Sequence, residues 1–219
     1  MIKLKSKRWA ISIFIAITIL VGCANGIPSI GINVPAFIER NTQRIYIGIP
    51  ILLSLNGSYA ILDDKWAVTA AHNKPILEML GKETYYHPHC DIALFKLESK
   101  IKSENNTPKL GKVFENGEIF HSGYPAYLPM IYEEGEYIGD VISTSKPKCV
   151  ASMSTGSIIT GMSGGGVYNS KLELVGINVG FMSKATKKDG RVVKDPTVWQ
   201  SLYGVRDWLT EITGKEYYE

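Results

Sequence analysis

Beyond its N-terminal segment the chain carries its apolar residues in short runs, each cut off within a few positions by Gly, Asn, Asp or Pro. Arg44 to Leu53, Ser58 to Leu62, Trp66 to Ala70 and Ile92 to Leu97 occupy the first half. Glu118 to His121, Tyr137 to Ser143, Gly165 to Tyr168 and Leu172 to Phe181 occupy the second. Many short strands with turn residues between them predict an all-β sandwich or barrel, and no internal repeat is visible. One helix is expected, at the end. Asp195 can cap it, Pro196 suits its first position, and Val198, Leu202, Val205, Leu209 and Ile212 recur at helical steps before Gly214 stops it.

The N-terminal segment carries an address. Lys3, Lys5, Lys7 and Arg8 precede an apolar run from Ala10 to Val21, and Leu20-Val21-Gly22-Cys23 has the form of a lipobox. The run falls short of the roughly 18 to 20 residues of a spanning helix, which favours a cleaved signal. Resemblance to bacterial lipoprotein signals implies cleavage before Cys23 and lipidation of its sulfur. The mature chain is then anchored to the cell envelope through that lipid. Ala24 and Asn25 come next, without an aspartate to specify inner-membrane retention, so the outer membrane is favoured where the host has two. Gly26, Pro28, Gly31 and Pro35 punctuate the stretch after the lipid site, and it reads as a tether.

Charge argues against one class of partner. The chain has 24 Lys and Arg against 21 Asp and Glu, but residues 1–22 hold four of the basic residues and none of the acidic ones. The mature chain is near neutral, with no basic patch interleaved with aromatics, so no nucleic-acid partner is expected. The cluster Lys184 to Arg191 reads as a solvated loop around Asp189-Gly190.

Three stretches carry chemistry. Trp66-Ala67-Val68-Thr69-Ala70-Ala71-His72 is an apolar strand leading through small residues to an imidazole. Asp91-Ile92-Ala93-Leu94 sets a carboxylate at the mouth of a second apolar run, 19 residues beyond His72. Gly161-Met162-Ser163-Gly164-Gly165-Gly166 places a hydroxyl among glycines, where backbone amides can face an anion. A base, an orienting carboxylate and a nucleophile are the parts of a Ser/His/Asp hydrolase, and their chain order is that of chymotrypsin-like folds. Asp63 and Asp64 are alternative carboxylates, but they precede the strand that delivers His72 and look like a hairpin turn.

On these motifs the chain resembles the trypsin/chymotrypsin-like serine peptidases, especially compact bacterial members, from about Ile45 to Ile212. The resemblance implies two six-stranded-type antiparallel β-barrels closed by a C-terminal helix. It divides the chain into a signal over 1–22, a tether over 23–40, an N-terminal barrel over 41–112 and a C-terminal barrel with its helix over 113–214. It implies His72, Asp91 and Ser163 as the catalytic residues of an endopeptidase, and the amides of Gly161 and Ser163 as the oxyanion hole. A protein or peptide is then the substrate, and no cofactor is required. Ser157, six residues before Ser163, stands where relatives that cleave after Arg or Lys carry an acid, and Asn178 and Gly180 match the strand that lines the substrate. The resulting pocket is neutral and polar. Met162 replaces the aspartate that in many animal relatives pairs with a freshly cut N-terminus, so activation by that ion pair is excluded.

His87-Pro88-His89-Cys90, with Cys149 or His121, admits a zinc reading, but no paired Cys-x-x-Cys spacing supports it, so no metal is assigned. Whether Cys90 and Cys149 pair is open in the sequence. Oligomeric state leaves no mark in it. A catalytically inactive lipoprotein of the same fold, binding peptides or a protein partner, is the alternative to the enzyme.

Overall fold

The computed structural model describes residues 24–27, 34–49, 53–98, 107–126, 128–142, 146–187 and 190–218. The expected signal and Cys23 lie outside the described residues. The first half forms one antiparallel sheet from β1 (Thr42–Ile49), β2 (Leu53–Ile61), β3 (Trp66–Thr69), β4 (Thr84–Tyr86) and β5 (Ala93–Lys96), in the order β1-β2-β3-β5-β4. The second half closes into a six-stranded antiparallel barrel. Its strands are β6 (Glu118–Gly123), β7 (Ile131–Ile142), β8 (Val150–Ser154), β9 (Gly166–Asn169), β10 (Leu174–Phe181) and β13 (Thr197–Ser201). Between the last two, β11 (Lys184–Thr186) and β12 (Val192–Lys194) pair as a separate hairpin, where the sequence reads only a loop.

Two expectations need correction. Among the described residues the first half is a five-stranded sheet, not a six-stranded barrel. A short helix, α2 (Lys74–Met79), covers its apolar face, with Ile76 and Leu77 buried against Ile45, Ala67 and Phe95. The expected terminal helix is also shorter. Thr197 to Ser201 is a strand, and the helix α3 runs only over Arg206–Thr213. Asp195 takes a left-handed φ of 48° and ends any helical path, while Thr197 to Gln200 are all buried, as in a strand packed on both faces. β13 pairs with β8 on one side and β10 on the other. Without it both would be open edges, and this non-local pairing outweighs a local helical period. Gly214 does end α3, at a φ of 70° with its N–H on the Thr210 carbonyl.

The span read as a tether is attached to the fold in its described parts. The helix α1 (Ala36–Asn41) buries Ile38 completely, and Ala24 bridges to Ile159 beside the barrel. The largest core lies between the halves. Ile38, Leu62, Trp66, Val68 and Leu94 from the first meet Tyr168, Leu174 and Ile177 of the barrel, and Leu202, Trp208 and Leu209 come from the chain end. The C-terminal segment thus returns to the first half, where the Trp208 ring lies 5.1 Å from that of His87 and the Tyr217 hydroxyl donates to Asp63 Oδ2 at 2.6 Å.

A disulfide, Cys90 to Cys149, joins the halves with Cα atoms 5.1 Å apart across 59 residues of sequence. Closing a loop of this length removes unfolded-state entropy equivalent to about 4 kcal/mol. Denaturant unfolding of Cys90→Ser/Cys149→Ser should give a stability lower by about that amount.

Candidate active site

β3 and β5 are antiparallel, with Thr69 opposite Ala93, so the residues just after β3 face those just before β5. His72 sits in a tight turn, Ala71–Asn73, and Asp91 lies across from it. The carboxylate spends both oxygens on this one residue. Oδ1 accepts the His72 backbone N–H at 2.9 Å, and Oδ2 lies 2.9 Å from Nδ1 of the ring. An ionised carboxylate only accepts, so Nδ1 carries the proton and Nε2 presents its lone pair. Burial pushes the Asp91 carboxyl upward, but the hydrogen bond and charge of His72, its backbone N–H and the nearby Lys146 outweigh it and hold the group below the usual aspartate range. Lys146 Nζ is 3.7 Å from Oδ2, and Cys90, beside Asp91, is pinned by the disulfide.

Asp63, the alternative carboxylate, does build the hairpin turn. Its Oδ1 accepts the N–H groups of Lys65 and Trp66 at 2.8 and 2.9 Å. His87 caps its own turn in a similar way, with Nδ1 accepting from the amides of His89 and Cys90. Cys90 and Cys149, considered as zinc ligands, are bonded to each other.

Ser163 enters from the barrel side. Its Oγ donates to the Val179 carbonyl at 3.3 Å. That carbonyl lies where the β10–β13 pairing shifts register between Asn178 and Gly180. The surrounding turn is fixed by its backbone: Met162 N–H reaches Ile159, Gly165 N–H reaches Met162, and Gly164 N–H reaches Asn178 at 2.7 Å. Among the described residues, the amides of Gly161 and Ser163 donate to no partner. Two glycines are obligatory here. Gly161 has a φ of 99° with the Tyr124 carbonyl 2.7 Å from where a Cβ would stand, and Gly164 has a φ of 87° with Thr69 Oγ1 only 2.1 Å from the same point. Met162 is fully buried against Ile131 and Ile158, so an apolar side chain anchors the turn.

Residues that the sequence did not single out join the halves at this point. Ser58 N–H and Asn73 Nδ2 donate to the Ser163 carbonyl at 2.8 and 3.0 Å, and Ser58 Oγ donates to the Gly161 carbonyl at 2.8 Å. Thr69 Oγ1 donates to Ser58 and accepts from Asn73. Asn73 comes directly after His72, and this adjacency was the one available signal. The base and the hydroxyl thus belong to segments joined by a direct hydrogen bond.

The expected substrate-lining residues separate. Gly180 has nothing within 4 Å of its missing Cβ and borders open space. Ser157 is half-buried, with its hydroxyl against the chain's own Gly26. Asn178 is fully buried and turned into the barrel. Its Oδ1 lies 2.6 Å from His121 Nδ1 and its Nδ2 donates to the Ser122 carbonyl, so its amide is not offered to a pocket. His121 is in turn 2.8 Å from Ser154 Oγ through Nε2, which leaves neither nitrogen for a metal.

Neither a protein-family model nor a curated protein matches the sequence. Solved structures do. The protease domain of MamO from Magnetospirillum magneticum superposes with a TM-score of 0.56 at 14% identity, covering 80% of this chain and 98% of that one. The scabies mite inactivated protease paralogue S-I1 gives 0.61 at 16%, covering 85% and 99%. The HtrA-type protease AlgW with a tripeptide gives 0.57 at 16%, covering 81% of this chain and 63% of that one. The fold is therefore that of the trypsin/chymotrypsin-like serine proteases. Since an inactivated paralogue shares it, the fold does not by itself decide activity.

The buried imidazole behind the serine turn gives a measurable signature. Burial pushes His121 from the ordinary 6.5 down to about 4, against the opposing effects of Asn178 and the Thr155 backbone. Below pH 6.5 the unfolded chain binds a proton here that the folded chain refuses, so stability is complete above that pH and falls toward pH 4. The loss should approach about 3 kcal/mol over this window. Denaturant midpoints across the pH range should show it, and ring-carbon shifts should keep His121 neutral at pH 5, well above about 4.

Proposed function

We propose that this chain is a serine endopeptidase held at the cell envelope by an N-terminal lipid. The observation that carries the reading is the grip of both Asp91 oxygens on His72, together with a serine turn in which the Gly161 and Ser163 amides donate to no partner among the described residues. In the proposed cycle the Ser163 hydroxyl first swings away from the Val179 carbonyl. Its oxygen attacks the peptide carbonyl while His72 Nε2 takes its proton, and Asp91 stabilises the imidazolium. The Gly161 and Ser163 amides receive the oxyanion. His72 then protonates the leaving amine as the C–N bond breaks, and water, activated by the same imidazole, releases the acyl group. No step calls for a metal or organic cofactor. AlgW was solved with a tripeptide, and a protein or peptide substrate suits the present chain as well. Ser157 stands in the sequence where an acid would select Arg or Lys, and Gly180 carries no side chain, which favours a neutral side chain before the cut.

The second reading, an inactive peptide-binding relative, draws on the Ser163 hydroxyl being bonded to Val179 and on the inactivated paralogue with this fold. A fluorophosphonate probe separates the two. The wild type should be labelled on Ser163, with Ser163→Ala and His72→Ala each losing about 10⁶ in turnover and Asp91→Asn about 10⁴. Peptide-library products should show neutral residues at the cut. An unlabelled wild type decides for the inactive reading.

Anchoring is proposed from Leu20-Val21-Gly22-Cys23. Cys23→Ser should abolish incorporation of a palmitate analogue and move the chain out of the membrane fraction, leaving probe labelling unchanged.

A further inference from the structure

The residues just after the lipidation site reach the loop that leads into the serine turn. Ala24 forms a β-bridge with Ile159, and Gly26 lies against the Ser157 hydroxyl, which a Cβ on Gly26 would approach to 2.1 Å. Between them, Asn25 uses both ends of its amide. Oδ1 accepts the Ile158 N–H at 2.8 Å. Nδ2 donates to Thr197 Oγ1 at 2.8 Å and to the Asp195 carbonyl at 3.0 Å, with a longer bond of 3.4 Å to the Gly156 carbonyl. Thr197 Oγ1 in turn donates to the Gly156 carbonyl at 2.7 Å. One side chain therefore ties the loop, near its start at Gly156 and at Ile158, to Asp195 and to Thr197, the first residue of β13.

The segment held in this way ends on the glycine turn. Ile158 packs on Met162, and the Ile159 carbonyl accepts the Met162 N–H at 3.0 Å, so the position of 158–159 is passed directly to the residue before Ser163. Gly161 lies between them, at a φ of 99°. Met162 offers no charge to a chain terminus, and the Asn25 amide joins the Thr197, Ala126 and Ala24 contacts that hold this loop.

We propose that Asn25 is a positioning residue for the oxyanion turn: its side-chain amide orders residues 156–161, and the Gly161 and Ser163 amides are presented together only while that clamp is made. The proposal rests on the hydrolase reading above. It also gives the residues after Cys23 a role other than reach. Asn25 lies two residues after Cys23 in the sequence, so the clamp and the proposed lipid site belong to one short segment.

The test uses the full chain with Asn25→Ala and Asn25→Asp. Asp keeps the size of Asn and the acceptor for Ile158 N–H, but it loses the donor and turns a carboxylate toward two carbonyls. A residue that merely fills space would tolerate it. Two readouts are taken. Hydrogen exchange over 156–161 should accelerate at least tenfold in both variants, with exchange in β3 and β5 unchanged. Fluorophosphonate labelling should slow tenfold or more, as expected when only a fraction of molecules holds a competent oxyanion site. Thr197→Ser, which keeps both hydroxyl bonds to Asn25 and Gly156, should retain wild-type exchange and labelling, while Thr197→Val, which removes both, should show a loss of the same kind even if the Asn25 variants fold poorly. A wild type that takes no label overturns the hydrolase reading. A labelled wild type with unchanged exchange in Asn25→Ala, or with wild-type labelling in Asn25→Asp, overturns the clamp alone.

Discussion

The Ser163 carbonyl, held from the opposite half by Ser58 N–H and Asn73 Nδ2, is the contact on which the arrangement of this molecule turns. It forms only because Gly164 has no side chain, since a Cβ there would stand 2.1 Å from Thr69 Oγ1 and 2.2 Å from the Ser58 carbonyl. Ser58 donates from its backbone within β2, and Asn73 from a buried side chain in the turn that follows β3, where Thr69 Oγ1 also accepts from it. The same β3–β5 register that brings Asn73 to the barrel brings Asp91 to His72. A one-residue slip in that register would invert the faces of β5 and separate the carboxylate from the imidazole.

Behind the serine turn the barrel keeps a polar pair that an all-apolar core would not need. His121 and Asn178 are fully buried, and their satisfied bonds to Ser154 and Ser122 offset the desolvation of both groups. Asn178 is also the residue whose backbone carbonyl and N–H grip Gly164 and Gly165. A Leu at 178 would leave the His121 nitrogen without its partner. The network therefore couples the barrel interior to the turn that carries Ser163, and a hydrophobic side chain could not do so.

What could be read from the sequence was local, and what could not was set by distant pairing. His72, Asp91 and Ser163 each sit in a stretch whose residue types state their own geometry: small residues before an imidazole, a carboxylate at a strand mouth, glycines around a hydroxyl. The final helix misled because Val198 and Leu202 are spaced as in a helix, although 197–201 is the strand that closes the barrel between β8 and β10. β4 and β8 went unread, the first because it has three residues and the second because Val150–Ser154 is small and polar for a strand. Asn178 matched a substrate-lining position by strand alone, but a strand match does not say which face its side chain takes. The Cys90–Cys149 pairing and the Asn25 bonds connect residues 59 and up to 172 apart, a separation no local pattern encodes.

The two halves are not independent bodies that meet at a cleft. Their shared core includes Ile38 from before the first strand and Trp208 and Leu209 from after the last, so the segments flanking the sheets contribute to the interface. Asp91 lies beside one end of the disulfide, and Lys146 lies three residues from the other. The carboxylate is thus held by a covalent cross-link between halves as well as by its own strand. Met162, Ile158 and Ile131 form a small apolar cluster under the serine turn, with Asn25 fastening its outer side. The candidate site is therefore braced from both halves and from the segment before β1. Loosening the interface would break the Ser58 and Asn73 bonds to the Ser163 carbonyl, which join the segment of the imidazole to that of the hydroxyl.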